Sequence, residues 1–255
     1  MRFADYTREL LQRHAELGTA LVILARIGST NDLARRIAYD YAREGNCVPA
    51  ADLVAWSQTR GRGRGDRRWA SAPGQGAYVS LIRPLAAAAD AAPLPLQVAV
   101  GLCLALNRHL AGRCRLKWPN DLVVEGRKLG GILIETVVHG GCASAVVGFG
   151  VNYGRELPAS VPHATSLSYE TTILPSLAEL TCDLIAGVDA RLAAGDALPA
   201  YRQLSVHRQG DRLCCRVGDR LHEGRFLGFD PHGFLRLEVG GREERLSSGE
   251  VTSDD

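Results

Sequence analysis

Gln58-Thr59-Arg60-Gly61-Arg62-Gly63-Arg64-Gly65-Asp66-Arg67-Arg68-Trp69 alternates arginine with glycine between two strand patterns, residues 53–57 and 77–82. Five arginines fall between Arg60 and Arg68. The glycines oppose a stable helix and let the backbone approach a ligand closely. Arginine grips a carboxylate or phosphate with two parallel hydrogen bonds. An anion would order such a loop, since like-charge repulsion and glycine entropy keep it mobile when empty. The competing reading is a basic surface loop that touches RNA, as Arg-Gly tails do. A loop set between strands of a folded domain favours the first reading.

A second loop carries matching chemistry. Lys117-Trp118-Pro119-Asn120-Asp121 precedes Arg127-Lys128-Leu129-Gly130-Gly131. The residue before proline avoids the helical region, so Trp118-Pro119 reads as a turn or extended path. Asn120 and Asp121 can bond their own backbone, or a phosphate and its Mg²⁺. A plain turn entering a hairpin accounts for these five residues equally well. Lys128 stands just past a turn at Gly126, where a point charge can reach the sheet's mouth, and two glycines leave room beside the strand. Bare N–H groups and fixed positive charge suit a polyphosphate.

Outward from these loops, residues 3–17 have helical spacing with Gly18 as a stop. Residues 21–27 read as a strand. Ser29-Thr30-Asn31-Asp32 is rich in capping residues ahead of a helix over 33–43. A helix opens at Pro93 or Pro95 and runs to Leu110. Strands follow at 114–117, 121–124, 132–138 and 143–149, the last ending on Gly148-Phe149-Gly150-Val151-Asn152. Residues 177–192 and 199–204 are helical. From Ser205 the texture becomes short alternating runs, 213–217, 220–229, 234–239 and 243–246, split by glycine-containing turns. That pattern predicts a small β-barrel. The fold class is therefore α+β, with a mixed, mostly antiparallel sheet and helices in residues 1–204 and the barrel in residues 205–255.

Composition narrows the function. The net charge is only +2, from 30 basic and 28 acidic residues, and aromatic residues make up 6%. Both count against a general nucleic-acid or membrane-surface binder. The start lacks the apolar core of a signal peptide, and residues 94–106 are too short to span a bilayer, so a cytoplasmic protein is expected. The seven cysteines are odd in number and lack a C-x-x-C pair, so they read as buried apolar residues and not as a disulfide framework. The seven histidines show no metal or triad spacing, and no metal ligand set can be assigned. No G-x-S-x-G or dinucleotide fingerprint is present.

The ordered set Ser29-Thr30-Asn31, Gln58, Gly61-Arg62-Gly63-Arg64, Trp69, Lys117-Trp118-Pro119-Asn120-Asp121, Lys128-Leu129-Gly130-Gly131 and Gly150-Val151-Asn152 resembles the biotin protein ligase family. The resemblance is close over residues 21–152 and looser over the C-terminal strands. It implies an ATP- and Mg²⁺-dependent enzyme that adenylates biotin to biotinyl-5'-AMP. Biotin then passes to one lysine of a biotin carboxyl carrier protein of acetyl-CoA carboxylase. It also implies that the C-terminal barrel is SH3-like.

By matching position, Ser29, Thr30, Asn31, Gln58, Gly61, Arg62, Gly63, Arg64 and Lys128 would bind biotin or its adenylate, with Gly131, Leu133 and Gly148 lining the same pocket. Trp69, Lys117, Asn120 and Asn152 would serve ATP. Lys128 and Arg64 would carry the catalytic charge. The family commonly reads Gly-Arg-Gly-Arg-x-Gly-x-x-Trp, whereas here glycine is at Gly65 and Asp66 follows. With about twenty residues before the first strand, no DNA-binding domain is expected. The family includes monomers and dimers, so a homodimer is compatible. A lipoate or octanoate ligase on a similar fold is the sister reading, and an RNA-binding protein the non-catalytic one.

Overall fold

The computed structural model describes residues 1–157, 161 and 163–253. The chain runs through α1 (Phe3–His14), β1 (Ala20–Leu24), α2 (Thr30–Arg43), β2 (Ala51–Ala55), β3 (Gly76–Leu85), α3 (Leu94–Leu110), β4 (Cys114–Lys117), β5 (Asp121–Val124), β6 (Arg127–His139), β7 (Cys142–Asn152), α4 (Leu167–Glu170), α5 (Leu177–Ala193) and α6 (Leu198–Leu204). Then come β8 (Arg212–Val217), β9 (Arg220–Phe229), β10 (Leu235–Val239), β11 (Arg242–Leu246) and β12 (Glu250–Ser253).

The first seven strands form one sheet in the order β1-β2-β3-β7-β6-β5-β4. Only β1 and β2 are parallel, and every other neighbouring pair is antiparallel. Period-two alternation sends successive side chains to opposite faces. On one face Leu53, Ile82 and Val146 pack with Ala34 and Ala38 of α2. On the other, Val54, Leu81 and Val147 join the larger core, which includes α3 and α5. Because helices cover both faces, β7 is buried along its whole length. Helices α3 and α5 meet at glycine: a Cβ at Gly101 would lie 2.5 Å from the Gly187 carbonyl oxygen.

The apolar stretch Ala88–Leu110 has the length and hydropathy of a membrane span, yet 61% of its 18-residue apolar window is buried inside the protein. Its apolar surface is already covered by the sheet and α5, as in a core helix.

The expectation for the C-terminal strands holds in part, and the reading of the cysteines needs correction. The C-terminal strands form an antiparallel sheet ordered β11-β10-β9-β8-β12. The four expected runs are present, but a fifth strand, β12, pairs with β8 and leaves β11 as the opposite edge, so the sheet is open. Cys47 and Cys142 form a disulfide, with Cα atoms 5.3 Å apart across 95 residues of sequence. Sequence spacing could not reveal it, because the fold brings the approach to β2 beside the start of β7. Cys103, Cys114, Cys182 and Cys215 are free thiols, and all four are buried.

A buried ionic cluster ties the first layer together. Asp52 on β2 is fully buried and accepts from Arg83 Nη1 at 2.7 Å and from Thr19 Oγ1 at 2.6 Å. His14 Nε2 lies 2.7 Å from Asp52 Oδ2, the oxygen that also accepts from Thr19, and Arg83 also grips Asp189 of α5 through two nitrogens. Removing one partner strands buried charge, so Asp52→Ala should lower unfolding free energy by about 3–5 kcal/mol. Urea denaturation measures this directly, and a change below about 1 kcal/mol would show the cluster to be energetically idle.

Candidate active site

Ser29 caps α2, its Oγ accepting from Asp32 N at 3.4 Å, which puts Thr30 and Asn31 in the first turn. Both are buried against the sheet. Ser80 Oγ stands 2.7 Å from Thr30 Oγ1 and 2.6 Å from Asn31 Oδ1. Gln58 Oε1 accepts from Thr30 N at 2.8 Å, while its Nε2 donates to Ser71 Oγ at 2.9 Å. Ser29 caps, while Thr30 and Asn31 do more: they join a polar chain running from the helix start through Gln58 to Ser71 beside the Arg/Gly loop.

The Arg/Gly loop is a short hairpin. Gly63 N donates to Arg67 O at 2.8 Å, and Trp69 N to Gly61 O at 2.9 Å. Its turn, Arg64-Gly65-Asp66-Arg67, closes with Arg67 N to Arg64 O at 3.3 Å, and Gly65 has φ of +59°. Glycine with positive φ at the first central position is what a type II′ hairpin turn needs. The displaced glycine of this chain therefore makes the turn, and Asp66 stays exposed. The loop's glycine at the other end, Gly61, is demanded by packing, since a Cβ there would overlap the Trp69 carbonyl.

Beneath the hairpin, β6 and β7 present Gly131, Gly148 and Gly150. A Cβ at Gly148 would overlap Asn31 Oδ1, and one at Gly150 would overlap the Trp69 indole. A Cβ at Gly131 would sit 3.1 Å from the same ring. Lys128 Nζ lies 5.6 Å from a Trp69 ring centroid and 2.7 Å from Asp121 Oδ1. A cation over an indole face is attracted by its quadrupole.

These groups surround a cavity of about 340 Å³. Every residue expected on the biotin side lines it except Gly61, and so do Trp69 and Asn120. Asn120 also holds the turn, its Nδ2 donating to Ile132 O at 2.9 Å just after the cis Trp118–Pro119 bond. Lys117 and Asn152 fall outside the lining. Lys117 instead lies near His207, and Asn152 donates from Nδ2 to Thr165 O at 2.9 Å. Burial, with Lys117 and Arg208 nearby, lowers the His207 imidazole to about 4.

The lining carries Arg62, Arg64, Arg67, Arg68 and Lys128 against only Asp121 and Glu250. Most of this charge is engaged. Arg62 Nη1 is 2.9 Å from Glu135 and 3.0 Å from Asp32. Burial works to lower its guanidinium pKa, but those carboxylates outweigh burial and hold it above the usual range. Arg67 reaches Glu250 of β12 at 3.2 Å, an exposed pair that links hairpin to second sheet and contributes little energy. Arg64 differs. Its Nη1 is buried without a partner, and burial plus the nearby Arg67 push its guanidinium below the usual range. Trp69 Nε1 is likewise buried and unpaired. Two orphaned donors in one electropositive cavity are what an anionic, polar ligand would satisfy.

The lining thus sorts into hydroxyls and amides (Ser29, Thr30, Asn31, Gln58), apolar walls (Val79, Ile132, Leu133, Phe149) and cations (Arg64, Arg67, Lys128). Ser80, Ser71, Asp32 and Glu135 shape it, and all four were missed in sequence. A serine inside the apolar run 77–82 and a glutamate after the run 132–134 were the available signals. Among the described residues no His, Cys, Asp or Glu group of three is arranged to hold a metal ion.

Gly150→Ala should push the indole off its floor. The expected result is a shifted Trp69 fluorescence, measured with Trp56 and Trp118 replaced by phenylalanine, at little cost in far-ultraviolet dichroism. An unchanged spectrum would mean that the floor tolerates a methyl group.

Comparison with known proteins agrees with this geometry. Residues 25–152 match the model of the Biotin/lipoate A/B protein ligase family. A Paracoccus denitrificans protein named biotin–[acetyl-CoA-carboxylase] ligase is 31% identical over 246 residues, covering 90% of this chain and 98% of that one. The bifunctional ligase/repressor BirA of Escherichia coli (strain K12) is 31% identical over 245 residues, covering 92% of this chain and 74% of BirA. The biotin protein ligase of Aquifex aeolicus, solved with biotin and ATP, shares the fold with a TM-score of 0.74 at 24% identity, over 91% of this chain and 97% of that one. With half of its residues matching the family model and a relative 31% identical over nearly its whole length, the chain belongs to the biotin/lipoate A/B protein ligase family.

Proposed function

We propose that this chain is an ATP-dependent biotin–[acetyl-CoA-carboxylase] ligase. The observation that carries the reading is the cavity's sorted lining with Arg64 Nη1 uncommitted inside it. Biotin offers a polar ring system, an apolar chain and a carboxylate, and the three classes of lining group answer these in kind. The names of relatives at 31% identity support biotin over lipoate as the acid. An RNA-binding role has less support, because Arg62 and Arg67 are engaged in ion pairs and the hairpin folds over a cavity.

In this reading a biotin carboxylate oxygen attacks the α-phosphorus of ATP. The bond from that phosphorus to the bridging oxygen breaks, and pyrophosphate leaves with the electron pair. Two anions must approach each other, so the work is charge neutralisation and alignment. Lys128 and Arg64 supply the fixed charge, which acts more strongly in a partly buried site than in water. Trp69, with its free indole N–H, and Asn120 serve the nucleotide. Lys117 and Asn152 act from outside the cavity wall as it stands in this conformation. Mg²⁺ would accompany ATP, held mostly by phosphate oxygens and water, with Asp121 as the carboxylate at hand. The hairpin shields the mixed anhydride from water. A lysine amine of the carrier protein then attacks the acyl carbon, AMP departs, and the amine loses a proton.

Residues 1–204 form the catalytic unit in this proposal, and residues 205–255 an SH3-like accessory module that reaches the hairpin through Glu250. A cytoplasmic location, where ATP and carboxylases meet, completes it, and the reading is compatible with a monomer or a homodimer.

Pyrophosphate exchange into ATP, run with biotin in one tube and lipoate in another, tests the whole. Exchange with biotin is expected, exchange with lipoate alone would transfer the chain to the sister activity, and exchange with neither would remove the enzyme reading. Lys128→Ala should lower biotin-dependent exchange by about 10²–10³-fold, the usual cost of one lost charge-stabilising donor. Its melting temperature should hold, since the side chain is half-buried and outside the core. Arg64→Ala should keep the fold and release adenylate, seen as labelled biotinyl-AMP that no longer co-elutes with protein. Equal retention by wild type and variant would take Arg64 out of the site.

A further inference from the structure

Glu170 ends the short helix α4, and its carboxylate is only 2% exposed. A buried carboxylate is costly unless several partners meet it. Here Arg113 Nη1 lies 3.0 Å from Oε2, Arg127 Nη2 lies 3.0 Å from Oε1, and Thr165 Oγ1 donates to Oε1. Arg113 Nη2 also donates to the Glu170 backbone oxygen. The three partners come from before β4, the first residue of β6, and the stretch before α4. Nothing in the adenylation scheme uses this carboxylate, yet two of its partners lead directly to Lys128.

Lys128 lies at an interruption of the sheet's ladders. The β5–β6 register slips between Leu122 and Val123, pairing Val123 with Lys128 and Leu122 with Gly130, so Leu129 bulges out of the ladder. Bulges re-aim side chains and interrupt pairing. On the other edge, β7 pairs with β6 only from Gly130 onward. Residues 163–165 fill that open edge. Lys128 N donates to His163 O at 2.7 Å, and Thr165 N donates to Lys128 O at 2.8 Å. Both peptide groups of Lys128 are therefore held by a segment that is not part of the sheet. That segment is fastened by Asn152 on Thr165 O and by Glu170 on the Thr165 hydroxyl, while Glu170 also holds Arg127, the residue before Lys128.

We infer that Glu170 is a positioning residue for Lys128: its carboxylate locks residues 163–165 and Arg127 together around the bulge, so that the lysine ammonium is delivered to the cavity. The inference rests on the proposed role of Lys128 in adenylation. Glu170→Gln keeps the side-chain shape but leaves two guanidinium groups facing a neutral amide. The edge pairing loosens, and Lys128 loses its fixed origin.

The test is steady-state pyrophosphate exchange on the full chain, with melting temperatures taken for every variant. Glu170→Gln should lower kcat at least roughly tenfold, because a displacement of about 1 Å at a reacting group can cost about 10²-fold. KM for ATP should change by less than about twofold, since the nucleotide's own contacts are intact. Thr165→Val, which removes only the hydroxyl on Glu170, should show a smaller kcat loss. Thr165→Ser, which restores that hydroxyl, should recover it. Full kcat in both Glu170→Gln and Thr165→Val, with Lys128→Ala inactive, would overturn the inference and leave the role of Lys128 standing. Activity in Lys128→Ala would overturn both. A loss seen only as lower melting temperature, with kcat per folded molecule unchanged, would make Glu170 a structural residue and overturn the positioning role.

Discussion

Trp69 lies on a floor that only glycine can provide, and the site is built on that contact. Gly150 and Gly131 leave the space that the indole fills, and Gly148 does the same for Asn31. The same tryptophan ends the Arg/Gly hairpin through its backbone bond to Gly61 and lies under Lys128. One aromatic ring thus joins the sheet, the hairpin and the lysine. Its position is set by absent side chains on two neighbouring strands, because a close-packed interior has no slack for an added methyl group.

Charge is distributed over this frame unevenly. Arg62, Arg67 and Lys128 each have a carboxylate within 3.2 Å, which holds their side chains in place and lowers the repulsion among them. Arg64 has no such carboxylate contact among the described residues; it is half-buried, with its Nη1 fully buried and unpartnered. A buried guanidinium N–H without a partner is costly, and an anionic ligand would remove that cost. That asymmetry gives the cavity both a fixed geometry and a reason to bind. The layered fold supports it from beneath: helices on both faces keep β7 dry, and the Asp52 cluster anchors β2 and β3 to α1 and α5.

Much of this was legible in one dimension. The capping run at 29–32 announced α2, although three of its residues lie inside the helix, and Gly18 and the prolines at 93 and 95 marked helix ends, because those residues have conformational preferences of their own. The two charged loops were legible for the same reason, since arginine, lysine and glycine have few other uses in such density. Lys117 illustrates the limit. It sits in the same motif as Asn120, but strand alternation and the approach of residues 205–207 carry it toward His207 and away from the cavity. Motif membership specifies proximity along the chain and not the side of the strand.

Local pattern, then, settles element types, their order and which loops carry charge, because turn chemistry, periodicity and capping act within a few residues. Folding alone settles which distant groups meet. The Cys47–Cys142 bond spans 95 residues, Glu135 reaches Arg62 from another strand, and Glu170 grips the neighbour of Lys128 from a separate helix. The second sheet stays open because β12 finds β8 and not β11. Each of these depends on sheet order and register, which arise from packing over the whole core and leave no local trace in the chain.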